Sequence, residues 1–496
     1  MNAKTIWAAL AVVACGTAWG PTALADDVGG ESAGGDKPVV EKLLDIMLSS
    51  GQISRSQYDD LLEQSREEQV SGTAAVAAAA DTAPAPVARA ATDWTFKWSD
   101  GFNLARNDGA FQLKFGGRIM ADAALVWLND SLDQNLTALG IDPKDGSGVE
   151  FRRARIFVEG TVYERVFFKA EYEFANTGDG NTDFTDVYLG LKDLGPVRAV
   201  RVGHFKEPFL LAEMTSSKYI TFMERGLNNV FFPGRNMGIM AEGSPLEKKL
   251  LWQAGVFYGT NEQGFAFNDW NEAQFDLAGR LVGTPLYADD GETVVHVGLA
   301  YIHQFRDGAP DNLRYRQRPE AHLAQYWLDT ELFAATDSDI LNLELAGVRG
   351  PFSAQAEVTA NWQGVQGTKD ATLWGMYAYV SWFLTGEHRP YELGYGRFGR
   401  VKPKANFNPT RGDWGAWEVA ARYSYLDLDD NDLTGGRLWD VTLGVNWYLY
   451  PNLRLMFNYI HGDVDDRVST NPTPPPATGG IEGAGNIFQM RAQIDF

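Results

Sequence analysis

The chain has 496 residues, with 65 Asp and Glu against 43 Lys and Arg, for a net charge of −22. That balance argues against a nucleic-acid binder, which needs a basic face. A single cysteine, Cys15, rules out an intrachain disulfide and any thiolate metal centre.

Residues 1–25 read as an export signal. Lys4 forms a short basic start, residues 6–14 are apolar, and Ala23-Leu24-Ala25 precedes Asp26 as a cleavage site. Cleavage there removes Cys15; the competing lipoprotein reading takes "VVAC" as a lipobox, a poorer match. Past the signal no uncharged apolar run reaches the ~18 residues of a membrane helix. Residues 26–70 read as a short helical periplasmic segment, with Val40, Leu43, Leu44 and Met47 at helical spacing. Gly51 ends its first helix, and Ser54 and Gln57 have capping-box spacing at the start of the second. The segment suits an oligomeric tip or a dock for a periplasmic partner, or else a weakly ordered leader. Residues 71–92, rich in Ala and Pro, read as a linker.

From residue 93 to residue 496 the texture is alternation. In "WDVTLGVNWYLY", Trp439, Val441, Leu443, Val445 and Trp447 alternate with Asp440, Thr442, Gly444 and Asn446. About sixteen such runs follow one another, most near the 9–11 residues that cross a bilayer as a tilted strand. The apolar faces carry Trp and Tyr near their ends, as a membrane-interface belt does. Within a bilayer every backbone amide must be paired, so a sheet crosses only if it closes on itself. The expected fold is therefore all-β: a transmembrane antiparallel β-barrel of about 16 strands, in the outer membrane of a Gram-negative cell. A large soluble β-protein is disfavoured because its outer faces would hold too few polar groups. Some connections are tight, as in "LGPVRA" and "LYPNLR". Others are long (residues 208–234, 306–337, 385–413 and 464–485) and are expected together at the opposite end. The last strand ends on Phe496, like the terminal aromatic read by the outer-membrane assembly machinery.

If apolar positions meet lipid, the alternate positions line the lumen. Lys114, Arg118, Arg153, Arg155, Arg201 and Arg280 point inward, with Arg422, Arg454 and Arg491 from later strands. Arg152, near a strand end, is expected to snorkel to the interface. Asp122, Glu159, Glu171, Glu173, Asp186, Asp276, Glu344, Glu357, Glu418, Asp440 and Asp495 also point inward. The charges form either a basic stripe that concentrates anions or a wall of internal salt bridges. Residues 206–238 include "FFPG", too hydrophobic for water, and are expected to fold into the barrel and narrow the pore. None of the six histidines sits in a recognisable nucleophile or zinc motif, so an enzyme is disfavoured. The acid pairs Asp429-Asp430 and Asp465-Asp466 read as solvated loop charge, and no metal or cofactor site is indicated.

"FRRARIFVEG", "GHFKEPF", "ERGLNNVFFPGRNMGIMAEG" and "WFLTGEHRPYELGYG" resemble the phosphate- and polyphosphate-selective porins, the porin O/P family. The likeness runs from about Gly101 to Phe496. It implies a sixteen-stranded barrel, a homotrimer, and an inward-folded third loop. The basic lining would fall on Arg118, Arg153, Arg155, Arg201, Lys206, Arg225 and Arg235. The implied function is a passive channel for small anions, phosphate or polyphosphate among them, surrounded by outer-membrane lipid and lipopolysaccharide. The carboxylates spread through the lumen keep open a general porin for mixed small solutes.

Overall fold

Strand alternation needs a partner on both edges of every strand, and closure supplies it. The computed structural model describes residues 48, 54–56, 58–59, 62–63, 94–142, 146–175, 183–259, 274–306, 313–468 and 481–496. The export signal and the linker lie outside the described residues. Of the N-terminal helices, Leu48, Arg55, Ser56, Tyr58, Asp59, Leu62 and Glu63 are helical.

Sixteen strands make the wall. They are β1 (Phe111–Leu128), β2 (Gly148–Val162), β3 (Val166–Glu173), β4 (Asp183–Leu194), β5 (Val197–Lys206), β6 (Arg235–Gly243), β7 (Leu250–Tyr258) and β8 (Phe275–Ala288). The second half comprises β9 (Thr293–Gln304), β10 (Ala335–Arg349), β11 (Phe352–Val365), β12 (Ala371–Phe383), β13 (Ala416–Asp430), β14 (Leu433–Tyr450), β15 (Leu453–Arg467) and β16 (Ile481–Asp495). Each pairs antiparallel with the next, and β16 closes on β1 from Gly485↔Leu128 to Asp495↔Arg118. A hairpin of Trp94–Trp98 and Phe102–Arg106 continues the sheet along the remainder of the same β1 edge. Where the two partners of β1 meet, Gly117 exchanges backbone hydrogen bonds with Phe496 at 2.6 and 3.1 Å. A Cβ on Gly117 would stand 2.7 Å from the Phe496 ring, so the seam requires glycine there.

The faces follow the sequence period. Asp440, Thr442 and Asn446 are buried inside, while Leu443 and its neighbours across the wall, such as Leu343, Leu345, Val358 and Val380, are exposed outside. Leu343→Arg is expected to destabilise the barrel by about 2–4 kcal/mol, the cost of a charge at bilayer mid-depth. Reversible unfolding in lipid vesicles measures it.

Tight turns join β2–β3, β4–β5, β8–β9, β10–β11 and β14–β15 at the end that holds Phe496. The connection of residues 384–415 lies at this end too, which corrects its expected place among the long loops. Strand parity decides this: β12 is even-numbered and exits where β2 and β4 exit. Two loops from the other end enter the barrel, as expected for the first of them: the third (residues 207–234) and the fifth (described over residues 313–334). Apart from a short ladder within the fifth loop, Arg316–Gln317 against Leu328–Asp329, their backbones lie off the wall sheet, and wall side chains satisfy part of them. Glu357 accepts from the Leu211 and Ala212 amides at 2.8 and 2.9 Å. Arg454 donates to Ile220 O, Asn446 to Thr221 O and Arg491 to Met223 O, at 2.6–2.8 Å. Phe209, Leu210, Phe231, Trp327 and Leu328 from the two loops are buried with Ile340, Leu373, Leu426, Ile460 and Ile487 of the wall. The loops thus fill the β9–β16 side and leave the β2–β6 side open.

Candidate pore lining

The open side is a cavity of about 680 Å³. Its lining carries eleven Arg and Lys against seven Asp and Glu, so it is basic in a chain that is acidic overall. Arg118 of β1 and strands β2–β6 supply one wall, and the two loops supply most of the other.

Arg118, Arg153, Arg155, Lys206, Arg225 and Arg235 all line this cavity. Most of them hold carboxylates. Arg118 and Arg155 donate to Glu171 at 2.8 and 3.1 Å, and Arg155 reaches Glu173 at 2.5 Å. Arg235 and Lys169 share Asp186, each at 2.7 Å. Lys206 and Arg225 share Glu213 of the third loop. Burial alone would push the Glu213 carboxyl up, but Arg225 and Lys206 outweigh it and hold it down at about 2. Glu224 is likewise held well below the usual carboxylate range, burial being outweighed by Arg152, Arg491 and Arg153.

The other two expected residues stand outside the cavity lining. Arg201 lies over the Tyr188 and Phe205 rings and reaches Glu242 at 3.2 Å. Arg280 is fully buried, with a two-pronged pair of 2.8 Å bonds to Glu344 and a third to the Gly396 carbonyl. It anchors the segment 384–415, which reaches from β12 across the turn end. Arg198 donates to Gly394 O, Tyr391 bonds His296 at 2.7 Å, and Arg400 reaches Asp100 at 3.0 Å. Arg397 of this segment joins the cavity lining.

Arg152 does not snorkel. The β1–β2 register slips between Met120 and Ala121, where Arg152 is the extra residue of a bulge. A bulge breaks strict alternation, so Arg152 and Arg153 both turn inward. Arg152 then holds Glu224 at 2.9 Å. Sequence reading also missed Lys169, Arg316 and Arg318. Lys169 was legible, since it shares a period with Glu171 and Glu173. Arg316 and Arg318 ride on the fifth loop, which has no period.

Three cations stand apart. Among the described residues, Arg153, Arg316 and Arg318 have no carboxylate within ion-pair distance. Arg153 is 5% exposed, and its polar contact is the Met120 sulfur at 3.8 Å. Arg316 and Arg318 lie over the Tyr326 ring at 4.3 and 4.0 Å, a contact that leaves the guanidinium fork free for an anion.

A family model described as phosphate-selective porin O and P matches residues 130–496. Porin O of Pseudomonas aeruginosa is 27% identical over 459 residues, spanning 85% of this chain and 97% of that protein. An uncharacterized protein of Caulobacter vibrioides is 30% identical over 437 residues, 85% of this chain and 81% of that protein. Among solved structures, an anion-selective porin from Comamonas acidovorans is similar over 78% of this chain and 100% of its own, at 14% identity and a TM-score of 0.47.

Proposed function

Because the chain belongs to the phosphate-selective porin O and P family, we propose that it is an outer-membrane channel through which small anions, phosphate or polyphosphate among them, diffuse passively. The observation that carries this reading is the group of three guanidinium side chains that, among the described residues, have no carboxylate within ion-pair distance, in a lining whose other cations are paired. Their planar forks match the oxygens of phosphate and carboxylate. The paired groups keep the rest of the passage close to neutral, so an anion is attracted at one level and released beyond it. A homotrimer, seated in lipid and lipopolysaccharide, completes the proposal; the N-terminal helices would dock on a periplasmic partner. The seven lining carboxylates favour a second reading, a porin of mixed selectivity. Reversal potentials across a KCl gradient decide between them, with phosphate added as a blocker: anion preference and phosphate block support the first reading, and cation preference overturns it.

The third loop gives a pH test. Glu213 has a depressed carboxyl, so the stability it lends is present above the ordinary carboxylate range and is lost as pH falls through about 2. Between pH 7 and pH 4 its charge, and with it the restraint on Lys206 and Arg225, is expected to stay unchanged. Glu213→Gln is expected to raise the chloride-to-potassium permeability ratio at pH 7 by about three- to tenfold, the effect of freeing two cations at an effective dielectric near 20.

A further inference from the structure

The fifth loop bears two of the three free guanidinium groups, so something must hold that loop in place. We infer that Glu320 is the positioning residue that presents Arg316 and Arg318 to the pore; the inference rests on the anion-channel reading.

Glu320 sits two residues after Arg318, with a backbone φ of 48°, in the left-handed region that a side chain with a Cβ adopts at a cost. Its amide donates to the Arg318 carbonyl at 2.8 Å, closing a tight turn that aims the Arg318 side chain. The Glu320 side chain, fully buried at the edge of the cavity, reaches into a socket on the β13–β14 wall. There it accepts from Arg422, from Ser424 Oγ at 2.5 Å and from Thr442 Oγ1 at 2.8 Å. Gln489 donates to the Glu320 carbonyl at 3.0 Å. Donors from β13, β14 and β16 thus converge on one loop residue that is 2% exposed. Such convergence fixes a backbone direction, which a surface ion pair does not do. Asp440, the cross-strand partner of Ser424, lies beside the same socket, and among the described residues both of its carboxylate oxygens lack a donor. A glutamine at 320 would keep an acceptor for Arg422 and offer an N–H to Asp440.

Two roles for Glu320 predict opposite signs. As a fixed negative charge beside an anion path it would weaken anion preference, and its removal would strengthen it. As a positioning residue, its removal lets the two arginines drift from the path and weakens anion preference. Glu320→Ala is therefore expected to lower the chloride-to-potassium permeability ratio by about fivefold, the change for charges retreating a few ångströms. Glu320→Gln, which deletes the charge and keeps the anchor, is expected not to lower it. The Ser424→Ala/Thr442→Val double variant, which keeps the charge and removes two donors, is expected to fall in the same direction as Glu320→Ala. Arg316→Ala/Arg318→Ala, measured alongside, separates the two levels of argument. If that pair leaves selectivity unchanged, the anion-channel reading fails. If it lowers selectivity while Glu320→Ala leaves it unchanged or raises it, or if Glu320→Gln falls as far as Glu320→Ala, the positioning role fails.

Discussion

Replacing Arg153, Arg316 and Arg318 together by alanine is expected to lower the chloride-to-potassium permeability ratio by at least about tenfold. At an effective dielectric near 20, one charge about 6 Å from a permeating ion contributes roughly 2–3 kcal/mol before screening by salt. Three such charges leave ample margin for a tenfold change after screening. The choice of residues matters more than their number. Removing a paired arginine, such as Arg155, deletes one positive charge and also uncovers Glu173, while Glu171 keeps Arg118. Its effect would mix a lost anion site with a gained cation site. Among the described residues these three arginines have no such partner, so their loss reports on anion attraction alone. Potassium conductance is expected to change little, and block by phosphate is expected to vanish. A triple variant with wild-type selectivity would mean that the paired cations carry the preference, against the proposed function.

The legible part of this molecule is the part with a period. Lipid on one side and a lumen on the other impose a two-residue repeat, and the repeat in "WDVTLGVNWYLY" places Asp440, Thr442 and Asn446 inside, where they are buried. The same rule places Arg422, Arg454 and Arg491 inside but cannot say what they face. They face protein: Arg454 and Arg491 hold carbonyls of the third loop, and Arg422 holds Glu224 O and the Glu320 carboxylate. A basic stripe and a wall of internal bonds are both open from sequence; on the open side most cations hold carboxylates, and Arg153, Arg316 and Arg318 have none within ion-pair distance among the described residues. Arg152 was misread because a bulge shifts the repeat by one residue, and a single inserted residue leaves no mark in a pattern of apolar and polar side chains. Length alone places residues 385–413 at the loop end. Strand parity would have placed them at the turn end, had the strands before them been counted without error. The arginines of the fifth loop had no period to reveal them; their positions depend on Glu320 and its three strands.

Arg491→Ala is expected to destabilise the barrel by about 3–5 kcal/mol, because it strands the buried Asp122 carboxylate rather than because it loses a favourable pair. The Arg491 side chain is fully buried. Its Nε and Nη2 donate to the two oxygens of Asp122 at 2.7 Å, its Nη2 also to Glu224 at 2.8 Å, and its Nη1 to the Met223 carbonyl at 2.6 Å. Asp122 belongs to β1 and Arg491 to β16, so this one guanidinium spans the seam that closes the barrel and holds the third loop against it. Glu224 keeps Arg152 when Arg491 is lost, whereas Asp122 keeps no cation within ion-pair distance among the described residues. Asp122 is thus the group that makes the loss costly, and Asp122→Asn in the same chain is expected to recover part of it. Arg491→Lys is expected to fall between the two, since an ammonium group supplies three donors but not the planar fork that spans both Asp122 oxygens. Urea unfolding of the protein in detergent, followed by tryptophan fluorescence, measures all three variants. Equal losses for Arg491→Ala with and without Asp122→Asn would show that the seam depends on packing around Arg491 rather than on its charge.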